Sequence, residues 1–239
     1  VTEAWPDRYL VWDFDGTLAT GEGHWPGALC AVIRRARPDL GITPDDIRPH
    51  IQTGFPWHAP EVVRPACSAD EWWAALSPLF VRAYRACAAL DEAEAVRLAE
   101  AVRTEYLAPQ RWRLFDDVRP ALTALRARGW RHLVLSNHVP ELPRIMERLG
   151  LHELIEASFC SADIGAEKPH RSTFETVFAR YPRARAGWMI GDSWRADVEG
   201  ARAVGLRAIL VRTSHAEAPL QCDTLHDVIP IVEAGGGSR

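Results

Sequence analysis

Residues 9–18 read YLVWDFDGTL. The stretch has the form of a buried strand: an apolar run, then Asp13 and Asp15 one residue apart, then Gly16 and Thr17 to make a tight turn. Two close carboxylates repel, and each resists ionisation while the other is charged. A chain that ends a strand this way needs something to reconcile them.

Moving outward, residues 130–137 (WRHLVLSN), 154–163, 185–193 and 206–212 give further short apolar runs, with helical patterns between them. One such helix, near 140–150, stops at Gly150. About five strands alternating with helices predict an α/β fold, an open, doubly wound parallel sheet covered on both faces. Residues 20–109 break this rhythm and read as an inserted all-α module. Thr43-Pro44-Asp45-Asp46, Ser68 with Glu71 and Asp91 with Glu94 supply helix starts, the last two as capping boxes. Val96, Ala99, Val102 and Tyr106 then recur at helical spacing. The division predicted is 1–19 with 110–239 as a core, and 20–109 as a separate helical unit.

The chain has 239 residues, a formal net charge of −4 and 25% charged residues, with no run of like charge. That balance argues against a nucleic-acid-binding surface. Five scattered cysteines without a CxxC pair fit a reducing cytoplasm, not a disulfide framework or zinc knuckle. The first residues, VTEAWPDR, show no apolar signal core, and no segment approaches the ~18 apolar residues of a membrane span. The end, EAGGGSR, reads as a disordered polar tail.

In an open parallel sheet, ligands gather at the carboxyl ends of the strands. The residues there are Asp13 and Asp15 after the first run, Ser136 and Asn137 after the second, Lys168 in the loop after the third, and Asp192, Ser193 and Asp197 after the fourth. Mg²⁺ favours a few hard oxygen ligands completed by water and phosphate. Asp13, Asp192 and a backbone carbonyl near Asp15 suit it. Ser136, Lys168 and the N–H groups of the 13–17 turn suit a phosphate.

In order and spacing, DFDGTL, LSN, Lys168 and GDSWRAD resemble the four motifs of the haloacid dehalogenase superfamily, in its Mg²⁺-dependent phosphatase branch. The resemblance implies a Rossmann-like core with a helical cap, and hydrolysis of a small phosphorylated metabolite through an aspartyl-phosphate. It implies Asp13 as nucleophile, Asp15 as general acid/base, and Ser136 and Lys168 as phosphate binders, with Thr17 and Asn137 assisting through hydrogen bonds. The metal set would be Asp13, Asp15, Asp192 and Asp197, the last acting through water or Lys168. A phosphomutase of the same family is the alternative; a metal-free 2-haloacid dehalogenase and a silent binding module fit less well, because Asp15 and Asp192 are both present.

Substrate choice is expected to lie in the insert. Two aromatic loops, 21–25 and 53–60, offer Trp25, Trp57 and His58 as specificity residues, with packing of the insert's own core as the competing role for the tryptophans. Arg82 and Arg85 share a helix face that suits a second anion or plain solvation. A sugar phosphate, a phosphoglycolate-like acid, a nucleotide or a secondary-metabolite phosphate would all satisfy the core motifs.

Overall fold

The computed structural model describes residues 8–235. Strands β1 (Arg8–Trp12), β4 (Trp130–Ser136), β5 (Ile155–Cys160), β6 (Trp188–Gly191), β7 (Arg207–Val211) and β8 (Gln221–Cys222) form one sheet in the order β5-β4-β1-β6-β7-β8. Every pairing in it is parallel. The chain leaves β1 for β4 on one side and later returns to β6 on the other. The strand order therefore reverses at β1, which is where such sheets open a crevice.

Alternation along β1 explains why the sheet is covered twice. Tyr9 and Val11 point into one apolar layer with Leu133, Leu135, Phe174 and Met189. Leu10 and Trp12 point into the other with Leu122, Leu125, Val134, Ile190 and Val228. A period of two with apolar side chains on both faces requires helices on both faces. They are α5 (Val118–Ala127), α6 (Leu142–Arg148) and α10 (Leu225–Gly235), together with α7 (Ser161–Ile164), α8 (Arg171–Arg180) and α9 (Gly200–Ala203).

Between β1 and α5 lie four helices, α1 (His24–Ala36), the single turn α2 (Pro44–Ile47), α3 (Ala69–Ala88) and α4 (Glu92–Tyr106). An antiparallel ribbon of β2 (Ala19–Gly21) and β3 (Trp112–Leu114) stands at their base. Trp25 lies at the centre of their packing, stacked on Tyr106 with ring centroids 4.1 Å apart and flanked by Phe55, Trp73 and Phe80. Such pairs add about 0.5–1.5 kcal/mol each beyond the area they bury. The indole N–H of Trp73 donates to Glu141, just before α6, and Arg103 of α4 pairs with the same carboxylate at 2.8 Å.

Several details depart from the sequence reading. The sheet has a sixth strand, β8, and the ribbon was unforeseen; strands of two or three residues carry no readable alternation. The segment 21–25 is not all loop, since α1 begins at His24. Residues 161–163, expected as strand, belong to the turn α7. Val96 is 36% exposed, and Ala95 and Leu98 take the buried face instead. Asp91 accepts from the Glu94 N–H without a reciprocal bond, whereas Thr43 with Asp46 and Ser68 with Glu71 are reciprocal. Trp194–Glu199, expected as α-helix, is wound as a π-helix. The tail is ordered through Gly235, with Glu233 accepting from the Trp130 indole. The rest of the expected tail, and residues 1–7 where no signal core was read, lie outside the described residues. Among the described residues, no helix is long and apolar enough to cross a membrane.

Candidate active site

Asp13 follows directly on β1 and is 8% exposed. Its Oδ1 accepts from the Phe14 N–H at 2.7 Å and faces the Lys168 Nζ at 3.0 Å, while Oδ2 has no partner among the described residues. Lys168 is 2% exposed and also donates to Asp197 Oδ1 at 2.6 Å. The other Asp197 oxygen accepts from the Ser193 N–H at 2.9 Å. Asp197 is thus fully engaged and fully buried, and the π-wound turn carries it there.

Asp192 follows β6, and its Oδ1 accepts from the Thr17 hydroxyl at 3.0 Å. Gly16, with φ at +82°, lies against it. A Cβ on Gly16 would come within 2.2 Å of Asp192 Oδ2, so the turn requires a residue without one. Carboxylate oxygens of Asp13, Asp192 and Asp197 lie within 4.8 Å of one another. Burial, and then the charge of Asp13, pushes the Asp192 carboxyl up to about 7. Three acids this close share more negative charge than one lysine offsets, and the free oxygens of Asp13 and Asp192 fit a divalent cation. The Asp15 side chain is not part of that cluster.

Instead, Asp15 Oδ1 is buried without a hydrogen-bond partner, 3.7 Å from His24 Nδ1. The nearby Asp15 carboxylate chiefly, against the opposing effect of burial, raises the His24 imidazole above its usual range. A cavity of about 260 Å³ joins these groups, with Asp13, Asp15, Ser136, Asn137 and Asp192 on its core side. His24, Trp25, Trp57 and Tyr106 line it from the helical side, and His138 and Ser193 complete it.

Some expected donors are spent elsewhere. Asn137 accepts from the Lys168 N–H at 2.7 Å and donates to the Lys168 carbonyl at 2.9 Å, so its amide pins the Lys168 loop. In the 13–17 turn, Asp13, Phe14, Gly16 and Thr17 already donate within the protein, leaving the Asp15 N–H. His58 does not line the cavity; its Nδ1 accepts from the Phe55 N–H at 3.4 Å in a local turn. Trp25 and Trp57 pack in the aromatic cluster and also wall the cavity. Arg85 pairs with Glu92 at 2.6 Å, and neither it nor Arg82 reaches the cavity.

The sequence reading did not single out His24 or Tyr106. Only their neighbours hinted at them, a motif nine residues upstream and a helix register. His138, which directly follows the second motif, is buried with neither ring nitrogen partnered, and burial lowers its affinity for a proton.

Glu167, next to Lys168, is 3% exposed with Oε2 unpartnered; burial pushes it up from 4.5 to about 7. The folded state therefore holds this proton more tightly than the unfolded chain. Stability from this group is full below pH 4.5 and is lost as pH rises through 7. At about 1.36 kcal/mol per pH unit, the loss approaches 3 kcal/mol. Glu167→Gln is expected to raise the melting temperature at pH 8 by several degrees and to leave it unchanged at pH 4.5. Calorimetry at both values checks this, and equal shifts would refute it.

The haloacid dehalogenase-like hydrolase family model matches residues 8–205, from the start of β1 past the π-helix. The chain belongs to this family. It is 26% identical over 223 residues to the human haloacid dehalogenase-like hydrolase domain-containing protein 3, covering 91% of this chain and 87% of that one. For the bovine protein of that name, the matched region is 57% of its length. A phosphoserine phosphatase of Thermus thermophilus is 33% identical over 156 residues, 62% of this chain and 59% of that protein. Among solved structures, the Bacillus subtilis HAD-hydrolase YfnB, bound to magnesium, superposes with a TM-score of 0.70 at 21% identity, over 96% of this chain and all of that one. This haloacid dehalogenase-like hydrolase thus shares the family fold along almost its whole described length.

Proposed function

We propose that this hydrolase is a Mg²⁺-dependent phosphatase acting on a small phosphorylated metabolite through an aspartyl-phosphate on Asp13. The observation that carries the reading is the free Asp13 Oδ2 at the tip of β1, beside the free oxygen of Asp192 and on the same wall of the cavity as Asp15, whose Oδ1 accepts no hydrogen bond. The named activity of the Thermus relative supports it.

In this reading Asp13 attacks phosphorus, forming an O–P bond as the P–O bond to the substrate alcohol breaks. Asp15 gives its proton to the departing alkoxide, then takes one from water. That water attacks phosphorus, the bond to Asp13 breaks, and inorganic phosphate leaves. Ser136 and the Asp15 N–H bind phosphate oxygens. Lys168 balances the charge of Asp13 and is held by Asn137 and Asp197. Asp13, Asp192 and the backbone carbonyl of Asp15 would hold the metal, with Thr17 orienting Asp192. When bound, the metal neutralises charge on the phosphoryl group.

Residues 20–109 serve as a cap over a core of 1–19 and 110–239, a division supported by the ribbon at the base of α1–α4. The five cysteines, all free, support a cytoplasmic setting.

The test is hydrolysis of a chromogenic aryl phosphate. EDTA is expected to lower the rate about 100-fold, since a metal supplies several kcal/mol at such a site, and Mg²⁺ to restore it. A rate indifferent to both would overturn the assignment. Product analysis with a bis-functional substrate would reveal a phosphomutase, which shares Asp13 and Asp15.

A further inference from the structure

Resting on that phosphatase reading, we propose that the substrate's leaving alcohol carries no second anionic group and presents a flat, apolar face, as a single-ring aromatic alcohol does.

The argument begins with charge. A metal on Asp13 and Asp192 would, with Lys168, offset the three acids Asp13, Asp192 and Asp197, but the substrate's own phosphate then makes the core side negative, so a second carboxylate or phosphate would enter an unfavourable field. Such a group needs a fixed cation, and the lining supplies none. Lys168 is spent on Asp13 and Asp197. The nine arginines of residues 20–109 all lie off the cavity, and so does Arg111, which pairs with Glu105 at 3.0 Å. The His24 side chain, 3.7 Å from Asp15, is more than half exposed, so water screens any charge it carries. His138 is buried among Phe14, Tyr106 and Trp112, where burial favours the neutral ring. An anion placed there without a partner loses its hydration and gains no counter-charge.

Shape points the same way. Trp25 and Trp57 are 6.1 Å apart at 37°, and Trp57 stacks on Phe55 at 4.6 Å and 7°. Trp25 is already stacked on Tyr106 and Phe80, so the half-buried ring of Trp57 is the one left to meet a planar group in offset contact. At about 260 Å³ the cavity falls below the roughly 300–1,000 Å³ of drug-sized sites, which leaves room for the phosphate and little more than one ring. Phosphoserine, with a carboxylate and an ammonium on its alcohol, suits this wall poorly, which separates this chain from its Thermus relative in substrate class.

The experiment compares benzyl phosphate with 4-carboxybenzyl phosphate, a pair differing by one remote carboxylate, with acetyl phosphate as the small reference, all on the Mg²⁺-supplemented full chain. Benzyl phosphate is expected to exceed its carboxylated partner in kcat/KM by at least 30-fold. Trp57→Arg, which supplies the missing cation, is expected to shift that ratio at least 10-fold toward the carboxylated ester. Hydrolysis of acetyl phosphate with the two benzyl esters equal, or the carboxylated one preferred, would overturn this inference and keep the phosphatase reading. Release of phosphate from none of the three would overturn both.

Discussion

Asp13→Asn is expected to lower kcat by roughly 10⁴-fold or more while preserving the fold. The amide has nearly the volume of the carboxylate, so the Phe14 N–H retains an oxygen to donate to. What disappears is the nucleophile, because an amide oxygen at the tip of β1 does not displace an alcohol from phosphorus. Stability should respond in a direction that a merely structural residue would not produce. Asp13 is the principal charge holding the Asp192 carboxyl up, so removing it relieves repulsion in metal-free buffer. The variant should therefore melt no lower than the parent in EDTA, yet lose most of the stabilisation that Mg²⁺ gives the parent. Steady-state kinetics and paired melting curves measure both effects. Retention of more than 1% of kcat would remove Asp13 from the chemistry.

Lys168→Met keeps most of the length of the side chain and deletes its charge. Lys168 is buried between two carboxylates, 3.0 Å from Asp13 and 2.6 Å from Asp197, and Asp197 has no exposure to water. Breaking a buried pair by removing one partner leaves an uncompensated charge and costs about 3–5 kcal/mol. For a chain of this size that is a drop of roughly 10 °C in melting temperature. The loss should shrink as pH falls. Burial already pushes the Asp197 carboxyl up to about 6 against the pull of Lys168, and without the lysine the acid takes up its proton at still higher pH. Adding Asp197→Asn should recover more than half of the lost stability, while kcat/KM stays down by about 10²–10³-fold for want of charge balance at Asp13. Equal melting of parent and Lys168→Met at pH 7 would show that the ion pair carries no weight.

The legibility of this protein follows from the range over which each signal acts. The parallel sheet was readable because apolar runs and helical periods are local: Tyr9 and Val11 need only alternate with Leu10 and Trp12 to demand cover on both faces. Short-range chemistry was readable too. Ser68 meets Glu71 three residues on, and the strand tips name Asp13, Ser136 and Asp192 as neighbours once the sheet is parallel. Elements of two or three residues escaped, because so few positions hold no period.

By itself, then, the sequence determined the architecture and the group of acids, hydroxyl and lysine at one sheet edge. Only the tertiary structure decided which atoms of that group are free and which are consumed. Asn137 faces the Lys168 backbone, and Asp197 is fully engaged by Lys168 and Ser193. His58 turns back on Phe55, while His24 and Tyr106 reach the cavity without belonging to any motif. The physical reason is that a hydrogen bond is exclusive and directional. Whether a side chain is available for chemistry depends on every partner that the fold brings within about 3 Å, and those partners come from distant parts of the chain.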